Sequence, residues 1–194
     1  DNAVAVDDED NIYVTGGFIG TKNFGSSTIT SSGEEDIFVV KYANDGTFQW
    51  VAQAGAAGDL ADRGDGITYG NDGHMYVTGE FRGKAGFGTD TLNNYGSDLK
   101  DRDCFVAKLS KNGVWKWAAK AGSSKGSDRG TGICANSSGN IFVSGQYSGA
   151  AKFGSSGIEL ASAGDSVQAF VAAIDSLGNW RWAKSGGGAN FDRA

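Results

Sequence analysis

The chain has 194 residues, with 32 Gly and no Pro, 39% hydrophobic and 21% charged positions, and a formal net charge of −6. Glycine at about one position in six without any proline excludes a collagen-type repeat, and 11% aromatic residues, five of them Trp, argue against a disordered chain. The acidic balance argues against nucleic acid or an anionic membrane as partner, because both demand a basic footprint.

No apolar run of 18 residues is present, so no membrane insertion is expected. Long helices are disfavoured, since each Gly costs roughly 1 kcal/mol relative to Ala in a helix interior. The chain opens at Asp1 with neither initiator Met nor signal-type segment, which reads as a processed chain or a piece of a longer one.

In chain order, the alternation of apolar residues predicts strands over residues 3–6, 12–18, 36–42 and 47–54. Asp45-Gly46 supplies the positive φ of a tight hairpin between the last two. The excursion around Phe24-Gly25 has room for an extra short hairpin. In residues 36–42, Phe38, Val40 and Tyr42 share one face and Ile37 and Val39 the other, so this strand must be covered on both sides. In residues 47–54, Phe48, Trp50 and Ala52 alternate with Gln49 and Gln53, the pattern of a half-exposed edge strand.

The rest of the chain repeats this scheme. Tyr13-Val14-Thr15-Gly16 recurs as Tyr76-Val77-Thr78-Gly79 and as Phe142-Val143-Ser144-Gly145. Trp50-Val51-Ala52 recurs as Trp117-Ala118-Ala119 and Trp182-Ala183-Lys184. The turn signals return as Asn71-Asp72-Gly73 and Asn112-Gly113. The expected organisation is a single repeat domain over residues 1–194, with repeats over 1–63, 64–129 and 130–194. It stands alone or as a segment of a larger ring. Four-stranded antiparallel repeats of about 65 residues, all β, with both sheet faces buried, are what stacked β-propeller blades require. A β-trefoil or prism-like pseudo-threefold arrangement is the alternative.

The string Asn11-Ile12-Tyr13-Val14-Thr15-Gly16-Gly17-Phe18, then Phe24-Gly25, Asp36-Ile37-Phe38-Val39-Val40-Lys41, Asp45-Gly46 and Trp50, resembles the SBBP β-propeller repeat, and all three copies share it. The resemblance implies a propeller of secreted or surface-anchored, Bacteroidetes-like bacterial proteins, hence an extracellular or cell-surface location. It implies no catalytic residues. The third copy departs from the pattern, with Ala173 in place of Lys41 and Lys108, and Gln168 in place of Asp36 and Asp103.

Candidate ligand-binding residues fall in two groups. Asp62-Arg63, Asp128-Arg129 and Asp192-Arg193 recur where one repeat hands over to the next. They read either as a ring of charge for an anionic or sugar ligand, or as a turn Asp with an Arg bridging to the neighbour, and strict recurrence favours the second. Tyr95, Asp101 and Arg102 lie in the longest of three excursions whose lengths differ, and such loops are where binding is grafted onto a scaffold. All Trp residues fall in the fourth strands, as packing between repeats or as sugar-stacking platforms.

The acidic turn Asp7-Asp8-Glu9-Asp10 reads as solvated, lacking the Gly and distal Glu of a calcium loop. His74 has no partner in sequence, Cys104 and Cys134 read as small buried thiols, and Gly186-Gly187-Gly188 is no phosphate loop. No metal site, cofactor or catalytic group is expected. The functional expectation is a non-enzymatic extracellular scaffold recognising a protein or glycan through loops on a propeller face. A multivalent lectin and part of a polysaccharide-active propeller enzyme are the alternatives. Three blades are too few to close a ring, so a homodimer completing six blades, or further repeats of the same parent chain, is expected.

Overall fold

The computed structural model describes residues 2–99, 101–161 and 167–186. Asp192 and Arg193 lie outside them. The first unit comprises β1 (Ala3–Val6), β2 (Ile12–Phe18), β3 (Thr21–Phe24), β4 (Ser27–Thr30), β5 (Gly33–Tyr42), β6 (Phe48–Ala56) and the short β7 (Gly58–Ala61). The second holds β8 (Arg63–Tyr69), β9 (His74–Arg82), β10 (Lys84–Phe87), β11 (Asp90–Asn93), β12 (Arg102–Ser110) and β13 (Trp115–Gly122). The third holds β14 (Arg129–Ala135), β15 (Ile141–Tyr147), β16 (Ala151–Phe153), β17 (Ile158–Leu160), β18 (Gln168–Ile174) and β19 (Trp180–Gly186).

The fold is all-β, with no helix among the described residues, and is built of β-propeller blades. Each blade is a four-stranded antiparallel sheet in the order β1-β2-β5-β6, β8-β9-β12-β13 or β14-β15-β18-β19. The hairpin turns close on glycines with positive φ: Gly46 at 84°, Gly113 at 76° and Gly178 at 88°. Asp10, at φ 60°, holds the left-handed position that Gly73 and Gly139 fill in the other units. An Asp tolerates that region better than most side chains.

The core lies between the blades. Phe105 and Ala107 of β12 pack with Tyr13, Ile37 and Val39 of the first unit, while Cys104 and Val106 pack with Val143, Phe170 and Ile174 of the third. This is the two-sided burial that the apolar pattern of β12 requires. The first strands also meet, with β8 packed between β1 and β14.

One expectation is corrected. The fourth strands β6 and β13 are not edges, because the extra hairpin of each following unit crosses back and extends the sheet. β10 pairs with β6 (Ala85 with Ala56, Gly86 with Gly55), and β16 pairs with β13 (Ala121 with Phe153, Gly122 with Lys152). The Trp/Lys alternation reports which face of a strand is wet, and carries no record of a pairing partner from another repeat. In the first unit the same hairpin, β3–β4, forms a separate two-stranded sheet.

Candidate functional site

The aspartates at the unit junctions act as clamps. Asp62 accepts the Ala56 N–H at 2.6 Å with one oxygen and the Arg82 N–H at 2.8 Å with the other, tying the end of β6 to the end of β9. Asp128 accepts from the Ser123 N–H at 2.6 Å and the Ser148 N–H at 2.7 Å, joining β13 to the end of β15. Both carboxylates are buried, and burial pushes Asp62 up to about 7 and Asp128 to about 6.

Each clamp has a second carboxylate beside it. Asp36 and Asp103, on β5 and β12, are buried, and each has one oxygen without a hydrogen-bond partner. A Cβ placed on Gly122 would lie 2.4 Å from the unpartnered Asp103 oxygen and 3.0 Å from Asp128 Oδ2, so the two carboxylates converge on one point. Burial pushes Asp103 up to about 7, and the neighbouring Asp128 charge adds to the shift. Glycine at 122 is required by that close approach.

The arginines are paired rather than free. Arg63 chelates Glu35 at 2.8 and 2.9 Å. Arg102 and Arg129 come together around Glu80: Arg102 contacts it at 2.9 and 3.0 Å, and Arg129 lies 4.0 Å from it while its Nε bonds Asp65 at 2.7 Å. The bond to Glu35 raises the pKa of Arg63, and that to Asp65 raises Arg129. Glu80 and Asp65 were not visible as site residues in the sequence. The available signal is that Glu80 stands where the other repeats carry Gly17 and Gln146.

The structure separates the three residues of the long excursion. Arg102 belongs to the Glu80 cluster, and Asp101 accepts the Gly126 N–H at 3.2 Å. Tyr95 lines a cleft of 510 Å³ between the second and third units. Its hydroxyl donates to the Gly154 carbonyl at 3.0 Å, and the Lys120 ammonium sits over its ring, 3.7 Å from the centroid. Lys120 also donates to the Asn93 carbonyl. Burial lowers the Lys120 pKa and raises that of Tyr95 to about 12. Ser155, Ser156, Asn179 and Trp180 complete the polar side of the cleft. Lys120 was missed by the sequence reading because it stands in a packing strand, where Gln53 is its counterpart.

The Trp rows serve mainly as packing. Trp50 Nε1 donates to the Lys111 carbonyl at 2.9 Å and Trp117 Nε1 to that of Ser176 at 3.1 Å, each reaching forward to the next unit. Trp115 and Trp180 reach back, donating to the carbonyls of Gln53 at 2.9 Å and Lys120 at 3.1 Å. Trp182 is 38% exposed.

Two minor expectations change. Cys134 is exposed while Cys104 is buried, and both are free thiols. Asp7 is buried rather than solvated, since it accepts from Asn11 and the Tyr13 hydroxyl and so caps its own turn. Among the described residues no group of three or more His, Cys, Asp or Glu could hold a metal ion, and no helix is long and apolar enough to cross a membrane.

Blades joined unit to unit, with a cleft between the second and third, define a propeller-like repeat protein. The chain is similar to an uncharacterised WD repeat-containing protein of Acanthamoeba polyphaga mimivirus, 27% identical over 175 residues that cover 84% of this chain. The chain spans 12% of the length of that curated relative. No protein-family model matches the chain.

Proposed function

We propose that the chain is a non-enzymatic, repeat-based interaction module that recognises a protein segment in the cleft between its second and third units. The observation that carries this reading is the 510 Å³ cleft in which unrepeated Tyr95 meets Lys120 and the hydroxyls of Ser155 and Ser156. A half-buried cation beside an aromatic ring, with serine and asparagine side chains around it, suits an extended segment bearing a carboxylate. The WD-repeat name of the viral relative supports a scaffold built of repeats.

The test is selection of displayed peptides on the wild-type chain, followed by binding to the Tyr95→Ala and Lys120→Met variants. Loss of about tenfold or more in affinity on either variant is expected. Equal binding to all three would refute the cleft as the site.

A glycan remains the second ligand class, favoured by the Tyr95 ring and the Asn179 and serine side chains. Glycan-array binding that disappears with Tyr95→Ala would move the reading there. The polysaccharide-cleaving reading needs an accessible carboxylate pair, whereas the pairs Asp36/Asp62 and Asp103/Asp128 are buried. An SBBP-type repeat and an extracellular or cell-surface location are part of the same proposal. They rest on the repeat resemblance and are tested by fractionating source cells with an antibody to the chain.

A further inference from the structure

The cleft between the second and third units is floored by a strand edge that the fold leaves half paired. β16 pairs with β13 only at Ala121 and Gly122. One further bond follows, from the Gly154 N–H to the Lys120 carbonyl at 2.9 Å, and Gly154, at φ 58°, then turns its chain away. The Trp180 indole donates to the same carbonyl at 3.1 Å. Next along the edge is the Ala118 N–H, which is bonded by a side chain rather than a strand carbonyl, donating to the Asp90 carboxylate of β11 at 3.1 Å. Backbone groups of alternate residues point to the same side of a strand, so Lys116 continues this edge. Beyond Gly154 no strand among the described residues pairs with it.

A cation stands at the closed end of that edge. The Lys120 ammonium contacts the Tyr95 ring and the Asn93 carbonyl, is half-buried, and has no ion pair among the described residues. The first joint has the same frame without this chemistry. The Ser32 N–H bonds Asp36 at 2.8 Å as the Tyr95 N–H bonds Asp103 at 2.7 Å. The Trp115 indole bonds the Gln53 carbonyl at 2.9 Å as Trp180 bonds that of Lys120. Gln53 and Ser32 thus stand where the second joint has Lys120 and Tyr95. The frame belongs to the fold, and the cation with its ring is an addition to one joint.

We infer that the cleft takes its protein segment as an added β-strand, which pairs with the β13 edge at Lys116 and Ala118, takes the Ala118 N–H from Asp90, and sets a Glu or Asp side chain against the Lys120 ammonium. This rests on the reading of the cleft as the recognition site and names how the segment binds there. In strand addition the main-chain bonds give affinity and alternate side chains give specificity. A segment residue opposite Ala118 is the diagonal neighbour of Lys120, and such neighbours lie about 7–8 Å apart, within reach of a long side chain. Asp90 acts as the guard of the edge: its carboxylate satisfies the Ala118 amide, and its charge discourages indiscriminate pairing. An acidic residue opposite Ala118 supplies the counter-charge that Lys120 lacks, whereas a basic one adds repulsion.

The probe is a peptide selected by display on the wild-type chain and resynthesised with single N-methyl groups along its backbone, its binding read by fluorescence anisotropy. Methylation at every second residue should weaken binding by about tenfold or more, and methylation at the residues between should leave it unchanged. Replacing the acidic residue of the peptide by its amide should weaken binding to the wild-type chain and make no difference to Lys120→Met. Asp90→Ala, with an unchanged circular dichroism spectrum, should tighten binding about threefold to fivefold. If that variant fails to fold, the methyl scan on the wild-type chain decides. Tolerance of methyl groups at every position, in a peptide whose binding still falls with Tyr95→Ala and Lys120→Met, overturns strand addition and leaves the cleft as the site. Binding that is unchanged or weaker in a folded Asp90→Ala variant overturns the displacement of Asp90. A peptide indifferent to Tyr95→Ala and Lys120→Met, or no selected peptide at all, overturns both this inference and the reading of the cleft.

Discussion

The indole of Trp117 donates to the carbonyl of Ser176 at 3.1 Å, from the fourth strand of the second unit to the hairpin turn of the third. The same side chain lies over Gly178, so one residue supplies both the flat contact and the hydrogen bond that fix the angle between two blades. Trp117→Phe, which keeps most of the ring and loses the donor, should cost about 1 kcal/mol, and Trp117→Ala about 3–5 kcal/mol. Urea denaturation followed by circular dichroism measures both. Equal costs would show that the hydrogen bond carries most of the contact.

The buried carboxylates make stability depend on pH in an unusual direction. Asp62 and Asp103 are held at about 7 and Asp128 at about 6, all raised mainly by burial. Between roughly pH 4 and 7 the folded chain therefore holds more protons than the unfolded one, and stability falls as pH rises through that window. Asp103→Asn keeps an acceptor for the Tyr95 N–H and turns the unpartnered oxygen into a donor toward Asp128. The variant should be more stable than wild type at about pH 8, by roughly 1 kcal/mol, with a flatter pH profile. The third unit already carries an amide, Gln168, at this position.

Lys108 and Asp72 are expected to be coupled. They lie 2.7 Å apart, and Asp72 also accepts the Tyr76 hydroxyl at 2.7 Å, under a lysine largely withdrawn from water. A double-mutant cycle with Lys108→Met and Asp72→Asn should give a coupling of about 1 kcal/mol. The third unit explains itself by the same contacts: Phe142 has no hydroxyl, and Ala173 has no amine to lie over the ring. Ala173→Lys alone should therefore destabilise, because position 173 is 4% exposed and the tyrosine with its acid is missing.

Arg129 tests the charge-ring reading against the structural one. Its partner Asp65 has a side chain only 3% exposed, so Arg129→Leu strands a buried carboxylate and should cost about 3 kcal/mol. The double variant Asp65→Asn with Arg129→Leu should recover much of that loss in the same denaturation experiment. A cost near zero for the single variant would mark Arg129 as a side chain held ready for a ligand.

Much of the fold was legible because it depends on local alternation. The two-faced pattern of residues 36–42 and its copies called for cover on both sides, and Phe105 and Val106 do look into different neighbouring units. The recurrence of Asp62 and Asp128 pointed to a junction role, and the buried carboxylates make those contacts. What escaped were relations between repeats. Nothing in Lys84–Phe87 announces that it pairs with Ala56, because a ladder contact between backbones leaves no side-chain signature. The cleft escaped for a related reason. Tyr95 was visible as an unrepeated loop residue, but Lys120 looked like strand surface until folding set its ammonium over that ring.

The hairpin that crosses from each unit to the one before it bears on how the chain folds. Where a repeat buries its surface within itself, an array can melt from its ends one module at a time. Here β10 completes the sheet of the first unit and β16 that of the second. A module cut at the sequence boundary near Arg63 would therefore lose part of its own sheet and keep a hairpin made for another. The cooperative unit is then the junction rather than the repeat, and the units should gain and lose structure together. Insertion or deletion of a module would have to respect that half-step offset to leave a foldable chain.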